Sequence, residues 1–233
     1  MRALVLSGGG MFGAWQAGAW AAMAEAFQPD LIVGASVGSL NGYVIACGVT
    51  PDSLRELWLN ENFASLSRLK ANLRTLTVQH RPGIDYAVVA TDLFRMKPRV
   101  FRGDEVTWRH LAASCAVPLV LPQVRIGRRL YSDGGLLNPL PVYAAVDMGA
   151  TDILALHALP EIPSTLLKPF VRGFRAMFGV HPPVGGSIRL RLLEPGAPLG
   201  SLRDAIQYKR SNVERWLDQG YRDAKKHFLC DLL

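Results

Sequence analysis

The chain has 233 residues, 49% of them apolar and 19% charged, with 26 Lys and Arg against 19 Asp and Glu for a net charge of +7. This size and apolar content support a single domain over 1–233 with one sizeable core, and they exclude a disordered chain. No apolar run approaches the ~20 residues of a membrane span, and the apolar start of MRALVLSGGG is shorter than the ~7–15 residues of a signal-peptide core. A cytoplasmic protein without a transmembrane segment is therefore expected.

The positive surplus is spread along the chain and has two readings: an anionic partner such as acidic lipid, nucleic acid or an acidic carrier protein, with weak membrane attraction, or a plain solvated surface. Cys47, Cys115 and Cys230 are far apart. They show neither metal-site nor disulfide-framework spacing and are expected to be buried free thiols.

In chain order, RALVL at 2–6 reads as a buried strand, followed at once by Gly8, Gly9, Gly10 and Gly13. AWQAGAWAAMAEAF then reads as a helix stopped by Pro29, LIVGA as a second strand, and VGSLNGYVIAC as a second helix. Thr50-Pro51 is an N-cap followed by proline at the first helical position, opening a helix toward Leu73. YAVVAT at 86–91 is a third strand, and Asp104 caps a helix through Cys115.

QVRIGRRLYSDGG reads as two short strands around Gly127, and DILALHA at 152–158 as a further buried strand. The proline- and glycine-rich 160–198 is expected to be irregular, except for SIRLRLL, whose alternation suits an edge strand with one buried face. Ser201 with Asp204 forms a capping box that opens a long terminal helix over 201–228, with Leu202, Ile206, Val213, Trp216 and Leu217 as its apolar stripe. Strand alternating with helix predicts an α/β fold with a mostly parallel sheet.

Three motifs carry chemistry. GGGMFG at 8–13 follows a strand and opens a helix, so its N–H groups can converge on a negative charge. A dinucleotide site would want an acidic residue at the end of the second strand, whereas Asp30 precedes that strand. A Walker loop would need Gly-Lys-Ser/Thr. An oxyanion hole and a plain packing turn both remain.

GASVG at 34–38 is a Gly-x-Ser-x-Gly turn between strand and helix, where Gly34 and Gly38 give Ser36 steric room. Ser36 is either a nucleophile or the cap of the next helix. As a nucleophile it would draw on the Val37 N–H and the helix N-terminus for its oxyanion.

Such a serine needs a base. Of His80, His110, His157, His181 and His227, only His157, at the end of a buried strand, is a tempting one. Asp133, after a strand and before Gly134 and Gly135, is either an ordinary Asp-Gly turn or a carboxylate that takes the serine proton itself.

GGGMFG, GASVG and ASCAVPLVLPQVRIGRRLYSDGGLLNPLPV, in that order and with VVATDL between, resemble the patatin-like phospholipase family; the likeness covers 1–155. The resemblance implies a three-layer α/β/α fold with a mostly parallel central sheet. It also implies a serine lipid acyl hydrolase with a Ser36–Asp133 dyad, no catalytic histidine and no metal or cofactor. The glycine loop, Gly9 and Gly10 especially, would supply the oxyanion donors.

The implied partner is a lipid or acyl-ester substrate rather than nucleic acid; peripheral contact with an anionic membrane surface is an expectation from the positive charge, not from the resemblance. The family usually has Arg or Lys before the last glycine of the loop; here it is Phe12. LLKPFVRGFRAMF at 166–178 sets Leu167, Phe170, Val171, Phe174 and Phe178 on one helical face, with Lys168, Arg172 and Arg175 beside them. That pattern suits a lid or membrane contact; a core-packed helix is the other reading. Rival functions are a soluble carboxylesterase or thioesterase with the same dyad, a silent anion-binding protein, and a Ser–His enzyme using His157.

Overall fold

A computed structural model describes residues 1–160 and 188–230. Strand β1 (Arg2–Leu6) leads through a 3-10 turn at Gly10–Phe12 into α1 (Gly13–Met23). Strand β2 (Leu31–Ala35) leads directly into α2 (Val37–Ala46). There follow α3 (Pro51–Leu59), α4 (Glu61–Ala64), α5 (Leu69–Gln79), β3 (Asp85–Asp92), β4 (Lys97–Arg102), α6 (Trp108–Ser114), β5 (Val124–Ile126) and β6 (Arg129–Ser132). A 3-10 turn at Gly134–Leu136, α7 (Val142–Asp147), β7 (Asp152–Leu156), β8 (Arg189–Leu193) and α8 (Arg210–Cys230) complete the described chain.

The strands form one sheet in the order β5-β6-β3-β2-β1-β7-β8, with β4 also paired to β3. The run β3-β2-β1-β7-β8 is parallel, while β4 and β6 run antiparallel to β3. Alternate strand residues feed two cores. Leu4, Leu6, Ile32, Val88, Leu154 and Leu156 face the layer that holds α1, α2, α6 and α8. Ala3, Val5, Leu31, Val33, Val89 and Ile153 face α7. Burial on both faces explains why β1, β2 and β7 read as continuous apolar runs. The expected three-layer, mostly parallel α/β fold is the one found.

Helix α8 lies along α1 at close range. A Cβ on Gly18 would stand 1.9 Å from the Leu217 carbonyl oxygen, and one on Gly220 2.0 Å from that of Trp15. The contact is sealed by the Trp15 Nε1–H donating to Asp223 (2.8 Å) and by Phe12 meeting Trp216 edge to face at 5.1 Å. Position 12 is thus a core position here. Phe12 is 1% exposed, where a long cation would have no water.

Several expected boundaries shift. Helix α1 ends at Met23 because a turn, with the Ala26 and Phe27 N–H groups on the Met23 carbonyl, sends Phe27 into the core. Thr50 caps α3 as expected, but the helix toward Leu73 is broken at Asn60, whose side chain accepts from the Asn62 N–H and restarts the chain as α4. Asp104 lies in a short 3-10 turn, and α6 is capped instead by Thr107 with His110.

The Ser201–Asp204 box forms but serves only a turn, so α8 begins at Arg210. Edge strand β8 is present in parallel pairing with β7, yet within it the alternating Leu190 and Leu192 are 48% and 42% exposed while Leu193, on the other face, is buried, so the expected burial of the alternating apolar face is not found in this strand. Strand β4 and helix α7 carry no pattern picked out above; β4 is a proline-containing, charged strand and α7 has only six residues. Cys115 is buried and Cys47 half-buried, both as free thiols. The segment 166–178 and His181 lie outside the described residues.

Candidate active site

The glycine loop leaves the carboxyl end of β1 and Ser36 leaves that of β2, so parallel pairing brings both to one end of the sheet, where ligands bind in open α/β folds. Ser36 has φ 53° and ψ −130°. An L-residue occupies that region only under strain, and the turn holds it there because the chain reverses without room for side chains on either side. A Cβ on Gly34 would lie 2.4 Å from the Gly38 carbonyl oxygen, and one on Gly38 2.3 Å from that of Leu6.

The Ser36 N–H donates to Ser114 Oγ at 2.8 Å, and the Ser114 hydroxyl donates to the Val89 carbonyl at 2.6 Å. This pins the turn to β3. Ser114 was not among the expected site residues; a lone serine in a helix carries no pattern until its neighbours in space are known.

The two other motifs close on this turn. Gly8 packs on Ser36, whose Cβ would be 3.2 Å from a Cβ placed on Gly8. Gly134 packs on Ala35 (3.3 Å) and Gly135 on the Gly8 Cα (3.9 Å), measured the same way. The Asp-Gly-Gly turn and the glycine loop are therefore in contact on either side of the serine turn. Asp133 is 6% exposed. Its N–H donates to the Ala116 carbonyl, its carbonyl accepts from Thr91 Oγ1 at 2.8 Å, and its Oδ1 accepts from the Gly135 N–H at 2.7 Å.

The loop is held from below by a buried polar chain. The Trp58 Nε1–H donates to Asn41 (2.9 Å). The Asn41 amide donates to the Gly13 carbonyl (2.9 Å) and to Gln16 (3.1 Å). The Gln16 amide donates to the Ser7 carbonyl (2.9 Å). Four loop N–H groups are engaged: that of Gly8 with the Pro139 carbonyl at 2.9 Å, that of Met11 with the Ala205 carbonyl at 2.8 Å, that of Phe12 with the Gly9 carbonyl at 3.2 Å, and that of Gly13 with the Gly10 and Met11 carbonyls. Gly10 has φ 58°, and a Cβ there would meet the Ala205 carbonyl oxygen at 2.1 Å.

An apolar cavity opens beside Ser36, walled by Met11, Val37, Leu40, Trp58, Leu121 and Ile206; about 60 Å³ of it admits the centre of a water molecule. A larger surface cleft, about 980 Å³ and bounded by Thr50, Glu56, Leu76 and Arg210, contains none of the expected site residues. Cys115 also faces the Ser36 cavity. Burial first, and the nearby Asp133 charge second, push its thiol up to about 12, so it stays protonated and is a poor nucleophile at neutral pH.

The His157 ring, the tempting base, instead meets Glu194 at 3.0 Å beside β8. His110 serves the α6 cap and packs on Phe101.

The family model described as "Patatin-like phospholipase" matches residues 4–103 and 65–146, spanning all three motifs. The chain belongs to the patatin-like phospholipase family. Among curated relatives, lysophospholipase nte1 of Aspergillus oryzae is 28% identical over 176 residues, covering 66% of this chain and 11% of that protein. Human patatin-like phospholipase domain-containing protein 6 is 27% identical over 191 residues, covering 66% of this chain and 13% of that protein. This chain thus spans little more than a tenth of these relatives' length. Among solved structures, VipD from Legionella pneumophila shares the fold, with TM-score 0.59, 12% identity, and 98% of this chain and 67% of that one covered.

Proposed function

We propose that the protein is a serine lipid acyl hydrolase that cleaves fatty-acyl esters through Ser36 and Asp133, with an acyl-serine intermediate. The observation that carries this reading is the strained Ser36 turn, packed between the Gly8 loop and the Gly134–Gly135 turn at the wall of an apolar cavity. The similarity to a lysophospholipase supports a lipid ester as substrate, and the apolar wall suits an acyl chain.

In the proposed reaction Ser36 Oγ attacks the ester carbonyl and Asp133 accepts its proton. Asp133 then protonates the departing alcohol, leaving the acyl group on Ser36. Water attacks this ester, gives a proton to Asp133, and releases the fatty acid as Ser36 Oγ is reprotonated. The carbonyl oxygen becomes an anion in both steps. Since the Gly8, Met11, Phe12 and Gly13 N–H groups are engaged within the protein, the donors proposed for it are those of Gly9, Gly10 and Val37. Gly8 and Gly13, with Gly34, Gly38, Gly134 and Gly135, then act by letting the three turns approach. Weak peripheral contact with an anionic membrane surface belongs to the same reading; no described helix is long and apolar enough to cross a membrane.

Fluorophosphonate labelling should be lost in Ser36→Ala. Fatty-acid release from phospholipid should fall about 100-fold or more in Asp133→Asn while His157→Ala keeps it. Activity that survives Asp133→Asn and vanishes in His157→Ala would overturn the dyad. Hydrolysis of soluble p-nitrophenyl esters but not of phospholipid would make the protein a carboxylesterase.

A further inference from the structure

We propose that the turn at 117–120, with Leu119 at its tip, inserts into the surface of an anionic phospholipid bilayer and leads acyl chains to the cavity beside Ser36. This rests on the reading of the protein as a lipid acyl hydrolase and names the part of it that meets the lipid.

The Val120 N–H donates to the Val117 carbonyl at 3.1 Å, closing a four-residue turn with Pro118 second and Leu119 third. Leu119 has φ 68°. A turn with proline second and positive φ third is the kind that selects glycine at the third position, because any Cβ there is strained. This chain puts a leucine there and leaves it fully exposed, at 106% of its reference area. The folded protein in water bears both the backbone strain and the hydration of the side chain, and gains no packing from either. Contact with lipid removes the second cost.

The turn is also continuous with the candidate site. Val117, Val120 and Leu121 line the Ser36 cavity, as does Ile206, which is 47% exposed. An apolar path therefore runs from the tip of the turn to the nucleophile. The charges nearby select the sign of the surface. Exposed Arg68 and Lys70 flank the cavity-lining Leu69, and exposed Arg203 lies one turn before Ile206. Asp204 and Glu61 are the acidic residues of these segments, within a chain of net charge +7. Cations beside an apolar tip favour an anionic bilayer over a neutral one.

The test is co-sedimentation of the full chain with phosphatidylcholine vesicles containing about 30 mol% phosphatidylserine, beside hydrolysis of a short soluble p-nitrophenyl ester. Leu119→Asp and Leu119→Gly should each bind vesicles about tenfold less tightly than the parent and hydrolyse the soluble ester equally well. Leu119→Gly should also raise the Tm, because it relieves the positive φ; a leucine needed only for folding would not separate stability from vesicle binding in this way.

Unchanged vesicle binding by Leu119→Asp overturns the proposal. So does equal binding of the parent to pure phosphatidylcholine vesicles, or a Leu119-dependent dimer without vesicle binding. A parent that binds vesicles through Leu119 but hydrolyses no ester upholds the lipid contact and overturns the catalytic reading alone.

Discussion

Ser36 is held against its own backbone preference. Its φ of 53° costs about 1–3 kcal/mol. Its N–H bond to Ser114, continued to the Val89 carbonyl, helps the rest of the fold sustain that cost. A glycine there would be free of the strain. Ser36→Gly is therefore expected to unfold at a higher urea concentration, by about 1 kcal/mol of stability, while losing all acyl-enzyme formation. Equal or lower stability on denaturation would show that the turn is not strained by the side chain. Phe12 is the opposite case: its backbone is helical, with φ −67°, and its ring is held in the core by the edge-to-face contact with Trp216.

Among the elements, the β5–β6 hairpin matters most to the site because Asp133 follows it directly. It is tied to the end of β3 by Arg129 with Asp92. Burial alone would raise the Asp92 pKa, but the Arg129 guanidinium and the Arg95 and Phe94 N–H groups outweigh it and hold the carboxyl below its ordinary 3.8. A carboxyl whose pKa is lower folded than unfolded stabilises fully above the unfolded value and loses that contribution as pH falls through the folded one. Asp92→Asn should therefore cost about 1–2 kcal/mol at pH 6, a modest figure because Arg129 is 38% exposed. The difference from the parent in thermal melts should shrink below about pH 4. A deficit unchanged in acid would mean that shape, not charge, holds the hairpin.

At the scale of the molecule, the chain closes by laying α8 along α1, the helix that opens directly after the glycine loop. The reciprocal approach at Gly18 and Gly220 leaves no space for a methyl group: a Cβ on Gly220 would stand 2.0 Å from the Trp15 carbonyl oxygen. Gly220→Ala should force the helices apart and cost about 1–3 kcal/mol, seen as a fall in Tm. Because α1 begins at Gly13, the same variant should lower kcat on a soluble ester even where it remains folded. A Gly220→Ala protein with unaltered Tm would show that α8 can slide without loss.

What the sequence by itself determined is the material with local causes. The continuous apolar runs of β1, β2 and β7 follow from burial on both faces, the start of α3 from Thr50-Pro51, and the strand–glycine–helix and strand–serine–helix turns from steric limits on a few consecutive residues. The three motifs could be read because each is contiguous.

The tertiary structure alone decided the rest. It set the short helices after Asn60, the delayed start of α8 and the pairing of His157 with Glu194. It placed Ser114 beneath Ser36, and it closed the Asp133 turn on the Gly8 loop. Each of these depends on groups far apart in the chain, and local propensity is too weak to fix a contact whose partner arrives from another element.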